Sequence, residues 1–393
     1  MSFINKALSR KYSRLFLSGA VVISLFFSAF TLPARAETAV PDTLTLQQAV
    51  DMALKHSSEL QVARNTIDKN KKLRDEAWDA NNAVLINTYL GNGLYVSVPT
   101  GKDPQGAVFK TDYDWRAAQK DYDTKVESVK ASVYQAYFNV LQDQAQVNYL
   151  EQSLASKERN LRDAEARWQA GMDTAFNVNQ LRAAVVSERA KLAQAQDTLA
   201  RDYANLAQLV GLPRGSTPAL SNDATYQPLE VTDLNSTIEQ IVSASPDLWK
   251  AQQQVQLIKD TFAMQNSADV DRYNLKNANL AVTITGDKLQ QAVLKLYYTV
   301  KDLEAGYEAA QKSVATAEEA LRLAKLRYDV GIGTQADVLA AEASLAQARQ
   351  QLLSLTIQHE LAVKAFWQPW AWSASGGSSA AVAAGSSGMG TGN

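Results

Sequence analysis

Residues 113–169 run without a single proline or glycine, the two residues that most often end a helix. As one helix they measure ~85 Å at 1.5 Å per residue, and few folds accommodate a rod of that length. A second such stretch, about 272–329, is its counterpart. Tyr134–Val185 laid over Leu294–Leu345 without a gap agrees at 14 of 52 positions. Tyr137/Tyr297, Val140/Val300, Glu158/Glu318, Arg167/Arg327, Gly171/Gly331, Thr174/Thr334 and Val178/Val338 are among them, while Trp168 faces Tyr328 and Asn177 faces Asp337. A weaker echo upstream, at an interval of 188, sets Leu46, Leu54, Ser57, Leu60 and Ala63 against Leu234, Val242, Ser245, Leu248 and Ala251. Two copies of one long unit explain both. The change of interval puts 28 extra residues in the first copy, between about 66 and 134.

The helices after the paired glycines keep a seven-residue apolar period. Val178, Val185, Leu192, Leu199 and Leu206 are answered at +160 by Val338, Leu345, Leu352, His359 and Phe366. A heptad sustained over four repeats predicts coiled-coil-like packing. His359 on that stripe is read as a packed, hydrogen-bonded histidine. Thr45-x-x-Gln48 and Ser236-x-x-Glu239 have the form of capping boxes, and Ser245-Pro246 reads as a helix start. Val282–Thr285, ahead of Gly286, has strand propensity. Val84–Leu90 and Leu94–Val98 around Gly91-Asn92-Gly93 predict a β-hairpin.

These signals divide the chain into five expected parts. Residues 1–36 carry a basic start, an uncharged run from Leu15 to Phe30 and an Ala34-Arg35-Ala36 cleavage pattern, the form of a secretory signal peptide. A first helical repeat spans 37–210, with a short β-hairpin near 84–98. A linker at 211–232 holds three prolines, the second helical repeat covers 233–372, and an uncharged tail, 373–393, holds six glycines and is expected to be disordered.

Composition removes most chemistry. There is no cysteine, which excludes a disulfide scaffold and thiolate catalysis, and the two histidines, His56 and His359, stand far apart. Gly101-Lys102 lacks the rest of a phosphate loop, and Glu318 and Glu319 read as a solvated helix face. No catalytic residue, metal site or cofactor is expected. Removing residues 1–36 takes away five basic residues and no acidic one, leaving 34 basic against 41 acidic, a net −7. That balance speaks against nucleic-acid binding.

The paired turns are the most specific feature. One reads Arg167-Trp168-Gln169-Ala170-Gly171-Met172-Asp173-Thr174-Ala175-Phe176-Asn177-Val178, the other Arg327-Tyr328-Asp329-Val330-Gly331-Ile332-Gly333-Thr334-Gln335-Ala336-Asp337-Val338. Glycine closes one helix in a left-handed conformation and threonine caps the next. The R-Y-x-x-G-x-x-T-x-x-D-V-L-x-A run from Arg327 to Ala341 resembles the TolC family of outer-membrane efflux proteins. So do Leu44-Thr45-Leu46-Gln47-Gln48-Ala49 and Leu209-Val210-Gly211-Leu212-Pro213.

The resemblance implies a mainly α fold of long antiparallel coiled-coil helices in two repeats, closing as a homotrimeric α-barrel. It implies an exported protein of the outer membrane and periplasm, giving a passive exit path for substrates moved by an inner-membrane pump through a periplasmic adaptor. Gly171, Thr174, Gly331 and Thr334 would face the adaptor, while Tyr328, Asp337 and Asn177 would line the tip aperture. Two departures stand out. The positions of the family's charged latch hold Gly333 and Ala340, leaving Asp337 as the only acid for an aperture ring, since Asn177 replaces its mate. The β segments are also abbreviated, with almost no room for strands in copy two, which keeps open a non-conducting periplasmic tether or adaptor as the alternative.

Overall fold

The computed structural model describes residues 43–82, 85–89, 95–99, 104–264 and 266–374; the expected signal and residues 375–393 of the tail lie outside them. Helix dominates. In chain order the elements are β1 (Thr43–Leu44), α1 (Leu46–His56), α2 (Ser58–Asn82), β2 (Leu85–Tyr89), β3 (Tyr95–Pro99), α3 (Pro104–Gln169) and α4 (Ala175–Val210). There follow β4 (Ala219–Leu220), α5 (Leu234–Ala244), α6 (Pro246–Asp260), α7 (Ala268–Asp329), α8 (Gln335–Trp367) and α9 (Pro369–Ala374).

The four long rods lie side by side in the order α7, α8, α3, α4, with α2 laid on α3 and α6 on α7. Their seams follow the heptad: Val178, Val185, Leu206, Leu345, His359 and Phe366 are buried. Ion pairs repeat with the chain. Arg189–Glu158 and Arg349–Glu318 occupy the same place in the two copies. Arg182–Glu165 recurs as Lys325–Glu342 with its polarity reversed. Such exposed pairs contribute only ~0.2–1 kcal/mol each, so they select partners more than they stabilise.

Two apolar clusters fix the waist of the molecule. The first joins β1 and α1 to α3, α4 and α8 through Leu44, Val50, Val133, Phe138, Val140, Leu206 and Ile357. At its centre the Tyr137 hydroxyl lies 2.9 Å from the Leu44 carbonyl and 2.8 Å from the Ser221 carbonyl. Burial, the largest cause, pushes its pKa up to about 12. The second cluster joins α5 to α7 and α8 through Ile238, Ile241, Val293, Val300, Ala362 and Phe366. Of the C-terminal aromatics, Trp370 packs on the second cluster and Trp372 on the first, while Trp367 is 46% exposed.

Several sequence expectations change. Val282–Thr285 lies inside α7 and forms no strand; a lone β segment has no ladder partner, because β2 pairs with β3 and β1 with β4. The 211–232 segment carries β4, which pairs in parallel with β1. The hairpin pairs Leu85–Tyr89 antiparallel with Tyr95–Pro99, so the second strand runs one residue past its expected end at Val98; the expected end residues Val84, Leu90 and Leu94 and the Gly91-Asn92-Gly93 turn lie outside the described residues. The Thr45–Gln48 capping box is present. The Ser236–Glu239 box is not: Asp233 caps α5 instead, accepting from the Asn235 and Ser236 backbone N–H groups, because an aspartate at that position starts the helix earlier. Ser245 precedes Pro246 at the start of α6 but makes no side-chain cap bond.

His359 is packed yet not hydrogen-bonded. It is 1% exposed, with its ring 4.7 Å from that of Tyr226, and neither nitrogen has a partner among the described residues. The nearest carboxylate, Glu304, stays 3.6 Å away, held by the Leu229 N–H and the Lys301 ammonium.

Two outcomes follow from this packing. Gly286 sits in α7 with open space where a Cβ would be. Gly286→Ala should therefore raise stability by about 0.5–1 kcal/mol, read as a shift of the denaturant midpoint. Burial lowers the His359 pKa below its ordinary value, against the pull of Glu304. The unfolded chain then takes up that proton first as pH falls. Stability present above about pH 6.5 should decline as pH drops from there towards the folded value, and His359→Leu should remove this portion of the pH dependence in thermal melts.

Candidate functional site: the paired hairpin tips

Each long hairpin reverses in five residues, 170–174 between α3 and α4 and 330–334 between α7 and α8. Gly171 and Gly331 take φ of 72° and 78°, the left-handed region that costs any residue with a Cβ ~1–2 kcal/mol. The Met172 N–H donates to the Arg167 carbonyl at 2.8 Å and the Gly171 N–H to that of Trp168 at 2.9 Å. Ile332 and Gly331 repeat both bonds on Arg327 and Tyr328, each at 3.0 Å. This paired closure satisfies the last carbonyls of each descending helix. Thr174 and Thr334 then cap the ascending helices, accepting from the Asn177 and Asp337 backbone N–H groups at 3.1 and 3.2 Å.

The polar side chains at both tips are consumed by the turns themselves. The Asp337 carboxylate accepts from the Thr334 N–H at 2.9 Å and from its hydroxyl at 2.7 Å, and the backbone bond is the main cause that lowers its pKa. In the first tip that anchoring falls to Asp173, which accepts from the Asn177 amide, the Thr174 N–H and the Arg167 guanidinium. Bonds from Asn177, then Thr174, lower the Asp173 pKa. Sequence reading passed over Asp173; its signal is the acid six residues after Arg167 and four before Asn177. The matching position is Gly333, where a Cβ would come within 3.0 Å of the Tyr328 nitrogen and the Arg327 Cβ. A latch side chain has no room there without moving the turn.

What the tips offer outward is apolar. Met172, Phe176 and Ile332 are 72%, 78% and 79% exposed, and Trp168, Tyr328 and Val330 are exposed beside them. Apolar residues in a tight turn, where polar ones are the rule, were the overlooked sequence signal. The Arg159 guanidinium donates to the Gln335 amide oxygen at 2.7 Å, which ties the start of α8 to the last third of α3. Each tip gathers its own expected residues: Gly171, Thr174 and Asn177 in one, Tyr328, Gly331, Thr334 and Asp337 in the other. Among the described residues no group of acids and histidines is arranged to hold a metal, and no helix is long and apolar enough to cross a membrane.

Long paired rods with left-handed glycine tips define a helical-hairpin fold. The family model described as outer membrane efflux protein matches residues 90–212 and 256–366, more than half of the chain, and the chain belongs to that family. No functionally curated protein matches it significantly. Among solved structures it is similar to the outer membrane protein VceC of Vibrio cholerae, with 18% identity, a TM-score of 0.53, and 82% of this chain and 96% of that one covered. The CmeC outer membrane channel of Campylobacter jejuni gives 16% identity, 0.53, and 82% and 85% coverage. The open state of the MtrE outer membrane channel of Neisseria gonorrhoeae gives 18%, 0.52, and 83% and 88%. The fold is that of a TolC-like efflux duct, and the family is one of channels rather than enzymes.

The caps set a stability scale for the tips. Thr174→Ala and Thr334→Ala should each cost about 1 kcal/mol, seen in thermal melts as a loss confined to one hairpin by hydrogen exchange. Gly171→Ala should cost a similar amount through its φ alone, since a Cβ there meets nothing within 4 Å.

Proposed function

We propose that three copies close into a twelve-rod helical duct, a passive exit path through the periplasm and outer membrane for substrates moved by an adaptor-coupled inner-membrane pump. The observation that carries it is the unequal pair of edges. In the order α7, α8, α3, α4, the outer two rods each have one long neighbour and a free flank. An α4 edge cannot pair with itself to bury both flanks; it meets the α7 edge of another copy, and such head-to-tail contacts close into rings. The family supports three as the number of copies. Residues 1–36 act as the export signal in this reading, and 37–210 and 233–372 are the two repeats.

The two glycine tips are the docking rim for the adaptor. Gly171, Thr174, Gly331 and Thr334 hold its shape, while Tyr328, Asp337 and Asn177 lie at the aperture. Asp337 and Asn177 are both spent on their own caps, so the aperture is held by turn geometry rather than by a charged latch. The short β2–β3 hairpin supports a second reading, a non-conducting tether, because three copies would supply only six strands against about eight in the smallest bacterial barrels.

Gly171→Val with Gly331→Val should preserve export, helicity and trimer mass but abolish adaptor crosslinking and efflux-dependent resistance. Efflux that survives a demonstrably distorted tip would refute the docking role. In planar bilayers the folded trimer should conduct in discrete steps; silence would favour the tether.

A further inference from the structure

The linker between the two repeats crosses α7 and α8 as a strap held at three points. The Thr225 N–H donates to Glu360 of α8 at 3.2 Å. One residue on, the Tyr226 ring stacks on Tyr307 of α7 with centroids 3.7 Å apart and covers His359, whose ring lies 4.7 Å away. Beyond it the Leu229 N–H donates to Glu304 at 2.7 Å, and the Leu229 carbonyl accepts from Lys301 at 2.8 Å. The Glu304 oxygen that accepts from Leu229 is Oε1, the same atom that stands 3.6 Å from His359 Nε2. Packing does not call for a histidine here. The copy-one equivalents of Lys301, Glu304 and His359 are Leu141, Gln144 and Leu199, and Leu199 packs on the first cluster as an ordinary seam residue. A buried imidazole with both nitrogens unpartnered carries a desolvation penalty that leucine at the same place does not. The side chain that titrates nearest neutral pH thus sits under a strap held by a few bonds.

We propose that His359 makes this strap an acid-released clasp, closed at neutral pH over an uncharged ring and opened between Thr225 and Leu229 when the ring takes up a proton. Three effects act in that direction. A charged imidazole needs water or a partner, and lifting Tyr226 admits water without breaking a helix. The new charge draws Glu304 Oε1 away from the Leu229 N–H. It also repels Lys301, which holds the Leu229 carbonyl. The charged groups acting on the ring are Glu304 and Lys301 of α7 and Glu360 of α8, with the Tyr226 phenol facing it from the strap. Burial lowers the His359 pKa despite the two acids. Burial also works against the Glu304 charge, but Lys301 and the Leu229 N–H outweigh it and hold that pKa low, so Glu304 stays ionised while the histidine titrates. The closed strap therefore favours the neutral ring. Opening is rare above about pH 6.5 and grows by up to about ten-fold per pH unit below it, until the closed-state value is passed. All of these groups lie in one chain, so the clasp goes beyond the duct reading and does not depend on it.

Hydrogen exchange on the full-length protein, corrected for the intrinsic pH dependence of exchange, tests the clasp. Between pH 7.5 and pH 5.5 protection of residues 225–231 should fall by up to about ten-fold, while α4 from Val185 to Leu206 keeps its protection. His359→Leu, which installs the copy-one residue, should leave the strap equally protected at both pH values. His359→Gln, polar but without a titration in this range, should also remove the pH dependence, whatever its packing does to the overall level. Equal protection of the native strap at both pH values would overturn the clasp. So would a strap that still opens in acid in both variants. Protection lost from α7 and α8 together with the strap would overturn it as well, since acid then loosens the rods rather than the clasp.

Discussion

The burial of α3 is the constraint on which everything else rests. A helix of 66 residues has far more surface than its own hydrogen bonds can hold in water, so it must be covered along its whole length. The chain does this in relay. α2 and α6 lie against its upper part, α1, α8 and α9 around its middle, and α4 and α8 down to the tip. At the waist the relay is densest: Val133, Tyr137, Phe138 and Val140 are fully buried within about two turns. The Tyr137 hydroxyl and Asp223 also fasten the start of α1 there, Asp223 accepting from the Leu46 N–H at 2.8 Å. Below the waist the seams narrow to a heptad stripe, and the rods gain their remaining burial from neighbours of the same length. Free flanks on α4 and α7 are what is left when one chain supplies four rods, and they are the edges that the proposed ring would join.

The two copies solve the same seam differently. In copy one, Glu188 is buried between α3 and α4 and accepts hydrogen bonds from Ser153 and Lys157. Higher up, Asp143 of the same seam stands beside Asp202; burial, then that neighbouring charge, raises its pKa to about 6. The equivalents in copy two are Ala348, Ser313 and Ala317 for the first group and Leu303 and Ala362 for the second. A buried polar group discriminates between registers because a slip leaves it unpaired. An alanine–leucine seam lacks that discrimination. Selection of partners in copy two then falls to exposed pairs such as Arg349–Glu318 and Lys325–Glu342.

Much of this was legible in the sequence because the fold is local and periodic. The absence of proline and glycine across 113–169 marked α3, the 160-residue repeat marked α7, and the glycine–threonine spacing marked both reversals. What escaped depended on long-range pairing or on competition between neighbours. β4 is two residues long and exists only because β1, far away in sequence, lies beside it. Val282–Thr285 has the side chains of a strand, but tertiary context and an unbroken helical frame override a propensity worth at most ~1 kcal/mol. Asp233 outcompetes Ser236 as a cap because it stands where the helix can begin a turn earlier. His359 was read correctly as packed; its missing hydrogen bond reflects the prior engagement of Glu304 with Leu229 and Lys301, which no spacing rule reveals.

The tips show how a turn decides what a surface can recognise. A reversal between long helices leaves unpaired N–H groups on one side and carbonyls on the other. In the second tip Thr334, Asp337 and the Arg327 carbonyl satisfy these groups between them; in the first, Thr174, Asn177 and Asp173 do the same. Each polar group so used is withdrawn from any partner. Met172, Phe176, Val330 and Ile332 remain at the exposed apex, with φ > 0 at the glycines aiming the chain so that they cannot fold back onto the rods. A surface of that kind has little charge to steer an encounter and much apolar area to lose on contact. In the proposed docking role, such a surface would favour a partner already delivered to the same place by other tethers, with specificity set by the shape of the five-residue turn.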